Sequence, residues 1–176
     1  MDKINNRDTK DTNIILIGFM GAGKSAIAKI LGKKLYRNII DTDQEIVRRT
    51  GKTIPKLFEE YGETYFRDLE TTVLQELKMK NDLIISCGGG IVLRDENIQI
   101  MQESGKVFLL TATPETTYER VKKGKNRPLL NDHMSVEYIK NMMEQRQERY
   151  EKAAHIKVAT DHKHVEMIAN EIIEQL

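Results

Sequence analysis

The stretch Gly18-Phe19-Met20-Gly21-Ala22-Gly23-Lys24-Ser25 constrains this chain more than any other. It fits the pattern G-x-x-x-x-G-K-[ST], and its flanks suit it. Asn13-Ile-Ile-Leu-Ile-Gly18 reads as a short buried strand, and Ser25 to Leu35 places Ile27, Ile30, Leu31 and Leu35 at helical spacing. Glycines let the backbone curl until several N–H groups point at phosphate oxygens, with the positive end of the next helix behind them. Lys24 has the reach for β- and γ-phosphates, and Ser25 has a hydroxyl for Mg²⁺. A turn that bound nothing would need neither residue. A nucleoside triphosphate is the expected ligand, and what is done with it stays open at this point.

The same alternation continues along the chain. Further strands are expected at Asn38–Asp41, Asp82–Cys87, Lys106–Thr111 and Ile156–Ala159. Helices are expected at Glu63–Lys80, from Thr113-Pro114-Glu115 onward, at Ser135–Lys152 and at Val165–Leu176. Strands alternating with helices imply a parallel sheet covered on both faces, a three-layer α/β domain whose ligands bind beyond the carboxyl ends of the strands. Arg48 to Gly62 and Gly124 to Met134 fit the core poorly and read as excursions that could cover a ligand. Met1 to Thr12 is polar throughout and reads as a disordered tail, so the folded domain is expected over 13–176.

Composition removes several function classes. With 28 Lys plus Arg against 27 Asp plus Glu, the formal charge is +1 in 176 residues, which offers no long-range pull toward nucleic acid or an anionic membrane. Hydrophobic residues at 39% suffice for one core and are too many for a disordered chain. One cysteine can form neither an internal disulfide nor a Cys-based zinc site, and no apolar run is long enough to span a bilayer. The expectation is a cytoplasmic, monomeric protein with no nucleic-acid or membrane partner. Neither Asn-Lys-x-Asp nor Asp-x-x-Gly occurs, which disfavours a GTPase and leaves a small-molecule kinase as the reading that fits the size.

Asp41-Thr42-Asp43 closes the second strand. If the chain stays extended there, both carboxylates point to one side, one for Mg²⁺ through water and the other for a substrate hydroxyl. A turn capping the next helix is the plain alternative. Gly88-Gly89-Gly90 is too costly in backbone entropy for an ordinary turn unless something approaches the main chain closely. Ser86 could hydrogen-bond a metal-bound water, and Cys87 reads as a small buried residue in preference to a nucleophile. Arg67 flanks the core-facing Phe66 with Glu70 at i+3 to orient it; Arg146 sits on the apolar side of its helix, near Met142, Met143 and Tyr150; Arg127 precedes Pro128 in a loop. Each suits carboxylate or phosphate recognition, and each could instead be a surface ion pair, the reading preferred for Arg149.

Taken in order, Gly18 to Ser25, Asp41 and Asp43, Phe66-Arg67-x-x-Glu70, Gly88-Gly89-Gly90, Arg127-Pro128-Leu129-Leu130 and Arg146-x-x-x-Tyr150 resemble the shikimate kinase family over about 13–176. The resemblance implies a three-layer α/β/α P-loop kinase fold with a five-stranded parallel sheet, a substrate-binding region about 45–65 and a lid about 123–134. It implies transfer of the γ-phosphoryl of ATP to the 3-hydroxyl of shikimate, with Mg²⁺, on the route to chorismate and the aromatic amino acids. Gly21, Ala22, Gly23, Lys24, Ser25 and Ala26 would then hold ATP, joined by Arg127 and, near the adenine, Lys163. Ser25 would meet Mg²⁺, with Asp41 reaching it through water. Asp43, Arg67, Gly89 and Arg146 would bind shikimate, and Asp43, Lys24 and Arg127 would carry catalysis. Cys87 stands where some members have threonine, and Lys163 where arginine is often seen. The nearest rival is another small-molecule kinase of the same fold, such as a gluconate kinase, against which the Arg67 motif and the triple glycine both speak.

Overall fold

The computed structural model describes residues 12–122 and 135–176. The tail up to residue 11 and the proposed lid, with Arg127, lie outside them. Five strands, β1 (Asn13–Ile17), β2 (Asn38–Asp41), β3 (Leu83–Ser86), β4 (Gly105–Thr111) and β5 (Ile156–Ala159), form one parallel sheet in the order β2-β3-β1-β4-β5. All five expected strands are present.

Strand β1 is central and buried along its whole length, so it cannot show the polar alternation of an edge strand. Its residues divide between two cores. Ile14 and Leu16 face α1 (Lys24–Leu35) and α7 (Val165–Glu174), meeting Ile27, Leu31, Ile168 and Ile172. Ile15 and Ile17 face the opposite layer, where α3 (Ile54–Lys78), α4 (Asp95–Ser104) and α6 (Val136–Ala153) bring Phe66, Val73, Leu74, Met101 and Ile139. Asn13, fully buried, ties down the N-terminal edge of the sheet. Its amide donates to Lys80 O at 2.7 Å and Ser104 O at 3.1 Å, and its carbonyl accepts from Leu83 N at 2.9 Å.

Several elements differ from the sequence expectation. The chain leaves the extended state immediately after Asp41: α2 (Thr42–Thr50) begins at the next residue, with Asp41 as its N-cap. Helix α3 starts at Ile54, nine residues before the expected Glu63, with one non-helical residue at Gly62 (φ 82°, ψ 173°) joining its two parts. Most of the segment read as fitting the core poorly, Arg48 to Gly62, is therefore helical, and it sends Leu57 into the core. Helix α4 has no counterpart among the expected elements. The caps expected at α5 (Pro114–Val121) and α6 are present: Thr113 accepts from Thr116 N at 3.2 Å and Ser135 from Tyr138 N at 3.1 Å.

Candidate active site

The loops at the carboxyl ends of β1, β2 and β3 open into one cleft of about 680 Å³. Gly21, Gly23, Lys24, Ser25 and Ala26 form one wall; Asp41, Asp43, Arg67, Gly88, Gly89, Gly90 and Arg146 line the rest. Ala22 is buried behind the loop and does not line the cleft.

The phosphate-type loop is built from backbone. Gly23, the N-cap of α1, holds φ 93° in the left-handed region, which glycine tolerates and other residues avoid. No side chain caps this helix, so its first N–H groups are left for a ligand. Lys24 Nζ folds back onto its own loop, donating to Gly18 O at 2.7 Å and Phe19 O at 3.0 Å.

Asp41 serves two structures at once. Its Oδ1 accepts from Gln44 N at 3.2 Å and caps α2. Its Oδ2 accepts from Ser25 Oγ at 3.1 Å and Ser86 Oγ at 3.2 Å. The reading of the chain as extended through Asp43 is thus corrected in favour of the capping alternative: the four-residue strand ends on Asp41, itself a preferred capping residue, and Asp43 lies in the first turn of the helix it caps. Both carboxylates still line the same cleft.

Across the cleft, Arg67 is 8% exposed and held from two directions. Its Nη1 donates to Glu70 at 2.7 Å, and its Nη2 and Nε donate to Glu63 at 2.9 and 3.1 Å. Burial works against its charge, and Glu70 with Glu63 more than restores it, leaving the guanidinium above its ordinary range. Glu70 is completely buried, and burial pushes its carboxyl up to about 7 against the pull of Arg67, with Asp43 adding to the rise. Its Oε1 has no hydrogen-bond partner. Arg146 is held far more loosely, 3.5 Å from Gly89 O and with its Cζ 5.9 Å from the Phe19 ring centre. The Tyr150 hydroxyl donates to the same Gly89 carbonyl, and burial raises its pKa to about 12. Cys87 is buried and its thiol is pushed up by desolvation, as expected of a packing residue.

Three of the arginine readings can be placed. Arg67 and Arg146 both reach the cleft; Arg149 makes the expected exposed pair, with Asp95 at 3.5 Å. Lys163 does not line the cleft and pairs with Glu171 at 2.8 Å. Sequence reasoning missed Arg120, which lines the cleft and donates to Gly21 O and Thr160 Oγ1, each at 3.0 Å. It missed the apolar wall of Ile54, Pro55 and Phe58 as well. Thr53-Ile54-Pro55 carries the same cap-then-proline signal as Thr113-Pro114 and could have revealed the helix that presents that wall. Arg120 stands in no motif.

A mostly backbone phosphate loop, an Asp pair and two arginines around one cleft of a parallel sheet define a small-molecule phosphotransferase of the P-loop class. Residues 20–176 match the family described as shikimate kinase. The shikimate kinase of Pelotomaculum thermopropionicum is 45% identical over 135 residues, 77% of this chain and 78% of that protein. A solved shikimate kinase from Acinetobacter baumannii, in complex with shikimate, superposes with a TM-score of 0.90 at 34% identity, covering 95% of this chain and 93% of the other. That from Aquifex aeolicus gives 0.79 at 39% identity, covering 92% and 94%. The chain belongs to the shikimate kinase family.

Proposed function

We propose that the two walls of the cleft divide one reaction, transfer of the γ-phosphoryl of ATP to the 3-hydroxyl of shikimate. The observation that carries this reading is that Asp43, Arg67, Gly89 and Arg146 share a single cleft with the phosphate loop. Gly21, Ala22, Gly23, Lys24, Ser25 and Ala26 would bind the triphosphate through loop and helix-start N–H groups. Lys24 would leave the Gly18 and Phe19 carbonyls for the phosphates. Arg67, already fixed by two glutamates, and Arg146, loosely held, would take the substrate carboxylate with bidentate geometry, and Gly89 would contact it through its backbone. Asp43 would accept the proton of the reacting hydroxyl as its oxygen bonds to phosphorus and the bond to ADP breaks. Arg127 would meet the phosphate charge, and Lys163 would lie toward the adenine.

Mg²⁺ fits the donor set. Ser25, Ser86 and Asp41 bring two hydroxyls and a carboxylate together, and such hard oxygens suit this ion. Among the described residues no group of three or more His, Cys, Asp or Glu could hold a metal, in keeping with an ion held largely by phosphates. Ser25 would hold it directly and Asp41 through water, and the ion would supply charge stabilisation to the phosphates. A cytoplasmic monomer without nucleic-acid or membrane partners accords with the formal charge of +1 and with the finding that no described helix is long and apolar enough to cross a membrane.

ADP release in ATP and Mg²⁺, with shikimate, with gluconate and with neither, tests the reading. Turnover should require shikimate. Turnover with gluconate alone would refute it.

A further inference from the structure

Three consecutive glycines make a very pliable backbone, and the carbonyls of this run are held in two different ways. Gly88 O accepts from Ile91 N at 3.2 Å and Gly90 O from Leu93 N at 3.0 Å, both local main-chain bonds. The Gly89 carbonyl between them is held by side chains. It accepts from the Tyr150 hydroxyl, 61 positions away, and lies 3.5 Å from Arg146 Nη1. Arg146 and Tyr150 stand four residues apart on α6, so they share a face and reach the same oxygen. Tyr150 is 5% exposed and packed into the core, which fixes its ring, whereas Arg146 lines the cleft. Burial raises the Tyr150 hydroxyl to about 12 against the pull of Arg146, so it keeps its proton and stays a donor.

One carbonyl therefore has two donors within reach, a neutral hydroxyl that is fixed and a guanidinium that is loosely held. A partly buried carbonyl left without a donor costs free energy and draws in the nearest one. We propose that Tyr150 is a positioning residue for substrate binding: by satisfying the Gly89 carbonyl, its hydroxyl leaves the Arg146 guanidinium to the carboxylate of shikimate. The proposal rests on the reading of Arg146 as a ligand of that carboxylate. Without the hydroxyl, Arg146 closes the 3.5 Å gap, and part of its donor fork turns from the substrate to the main chain.

Tyr150→Phe keeps the ring in the core and removes only the donor. Its KM for shikimate should rise about 5- to 10-fold, with kcat within about threefold and the KM for ATP within about twofold. Para-aminophenylalanine incorporated at Tyr150 retains an N–H donor and should bring the KM most of the way back. In an Arg146→Ala background, Tyr150→Phe should raise the KM further by less than about twofold, because the group it frees is gone. A merely structural tyrosine would cost the same factor in both backgrounds. An unmoved KM in Tyr150→Phe, no recovery with the amino analogue, or equal factors in the two backgrounds overturns the proposal. Wild-type turnover that does not require shikimate would instead refute the reading of the cleft. Should Tyr150→Phe fail to fold, a crystal of the wild-type chain with shikimate and ADP decides. Tyr150 should still hold the Gly89 carbonyl while Arg146 has left it for the carboxylate; Arg146 on that carbonyl, with the tyrosine turned away, overturns the proposal.

Discussion

The two walls of the catalytic cleft reach the same end by opposite means. The phosphate wall is contiguous in sequence and made mostly of main chain: a curled loop, an uncapped helix start and one lysine. The wall proposed to bind the acid is assembled from α2, α3, α6 and the glycines after β3, and on that proposal it works through side chains that must be charged while partly or wholly hidden from water. Backbone N–H groups bring partial positive charge with no ion to desolvate. A buried guanidinium must be stabilised by others, which is why Arg67 has Glu63 and Glu70 around it. The first wall is tuned by conformation and the second by charge balance, and substitutions in the two should fail differently.

The largest effect is expected at Lys24. Replacing it by alanine leaves the loop backbone in place but removes the cation proposed to meet the β- and γ-phosphates, so kcat should fall at least about 10³-fold in a coupled ADP assay. The melting temperature should hardly move, because the lysine bonds to carbonyls of its own loop, Gly18 O and Phe19 O, which the backbone holds in place without it. A comparable loss of folding stability would show that the wall depends on that side chain for its shape.

The two arginines separate the walls further. Arg146→Ala should raise the KM for shikimate by roughly 10- to 100-fold, the worth of one or two charge-assisted hydrogen bonds, and leave the KM for ATP within about threefold. Arg67→Ala should do the same and also destabilise the fold by about 3 kcal/mol, because it strands Glu70 in the core without its cation. Chemical denaturation of both variants checks the contrast. Equal stability would mean that Glu70 is neutralised without Arg67.

Within the triple glycine, the structure ranks positions that the sequence leaves equivalent. A methyl group at Gly90 would sit 2.6 Å from Arg67 Cζ, and that guanidinium is locked by two glutamates and cannot swing aside. A methyl at Gly89 meets nothing nearer than 3.7 Å. Gly90→Ala should therefore raise the KM for shikimate about tenfold, and Gly89→Ala should change it less than about threefold. The reverse order in steady-state kinetics would place Arg67 elsewhere in the working enzyme.

The same contrast governs what could be read from the chain. The phosphate wall was legible because a contiguous motif between a strand and a helix carries its own geometry. On the other wall, Arg67 and Arg146 could be flagged, since a guanidinium beside core positions demands a partner, and Glu70 at i+3 was a readable one. Asp43 differs in conformation from the reading because Asp41, which ends the strand as expected, also caps a helix, and a capping aspartate and a strand-ending aspartate look alike until the next element is known. Helix α4 escaped the pattern because its apolar repeat is short, with only Ile98 and Met101 at i, i+3 spacing, and its buried Asn97, which stands at i, i+3 and i+4 from Ile100 and Met101, reads as polar. Arg120 is placed by tertiary contact with Gly21, ninety-nine positions away, which no local signal encodes.

Glu70 gives the subtlest test of the charge-balanced wall. Its carboxyl is raised from an ordinary 4.5 to about 7, with burial as the main cause. Between those values the folded chain keeps a proton that the unfolded chain has already released, so the native state binds more protons and stability falls as pH rises through that window. The size of the fall should be about 3 kcal/mol, measured as unfolding free energy in denaturant from pH 4.5 to 8. Glu70→Gln cannot titrate, so its stability should fall less across the same range. The loss of one Arg67 contact should lower the whole curve by an amount independent of pH, because the guanidinium stays charged throughout. Subtracting the two curves cancels every other titrating group. A flat difference would mean that Glu70 is ionised in the folded chain across the entire window, with Arg67 outweighing burial and the clamp resting on a full ion pair.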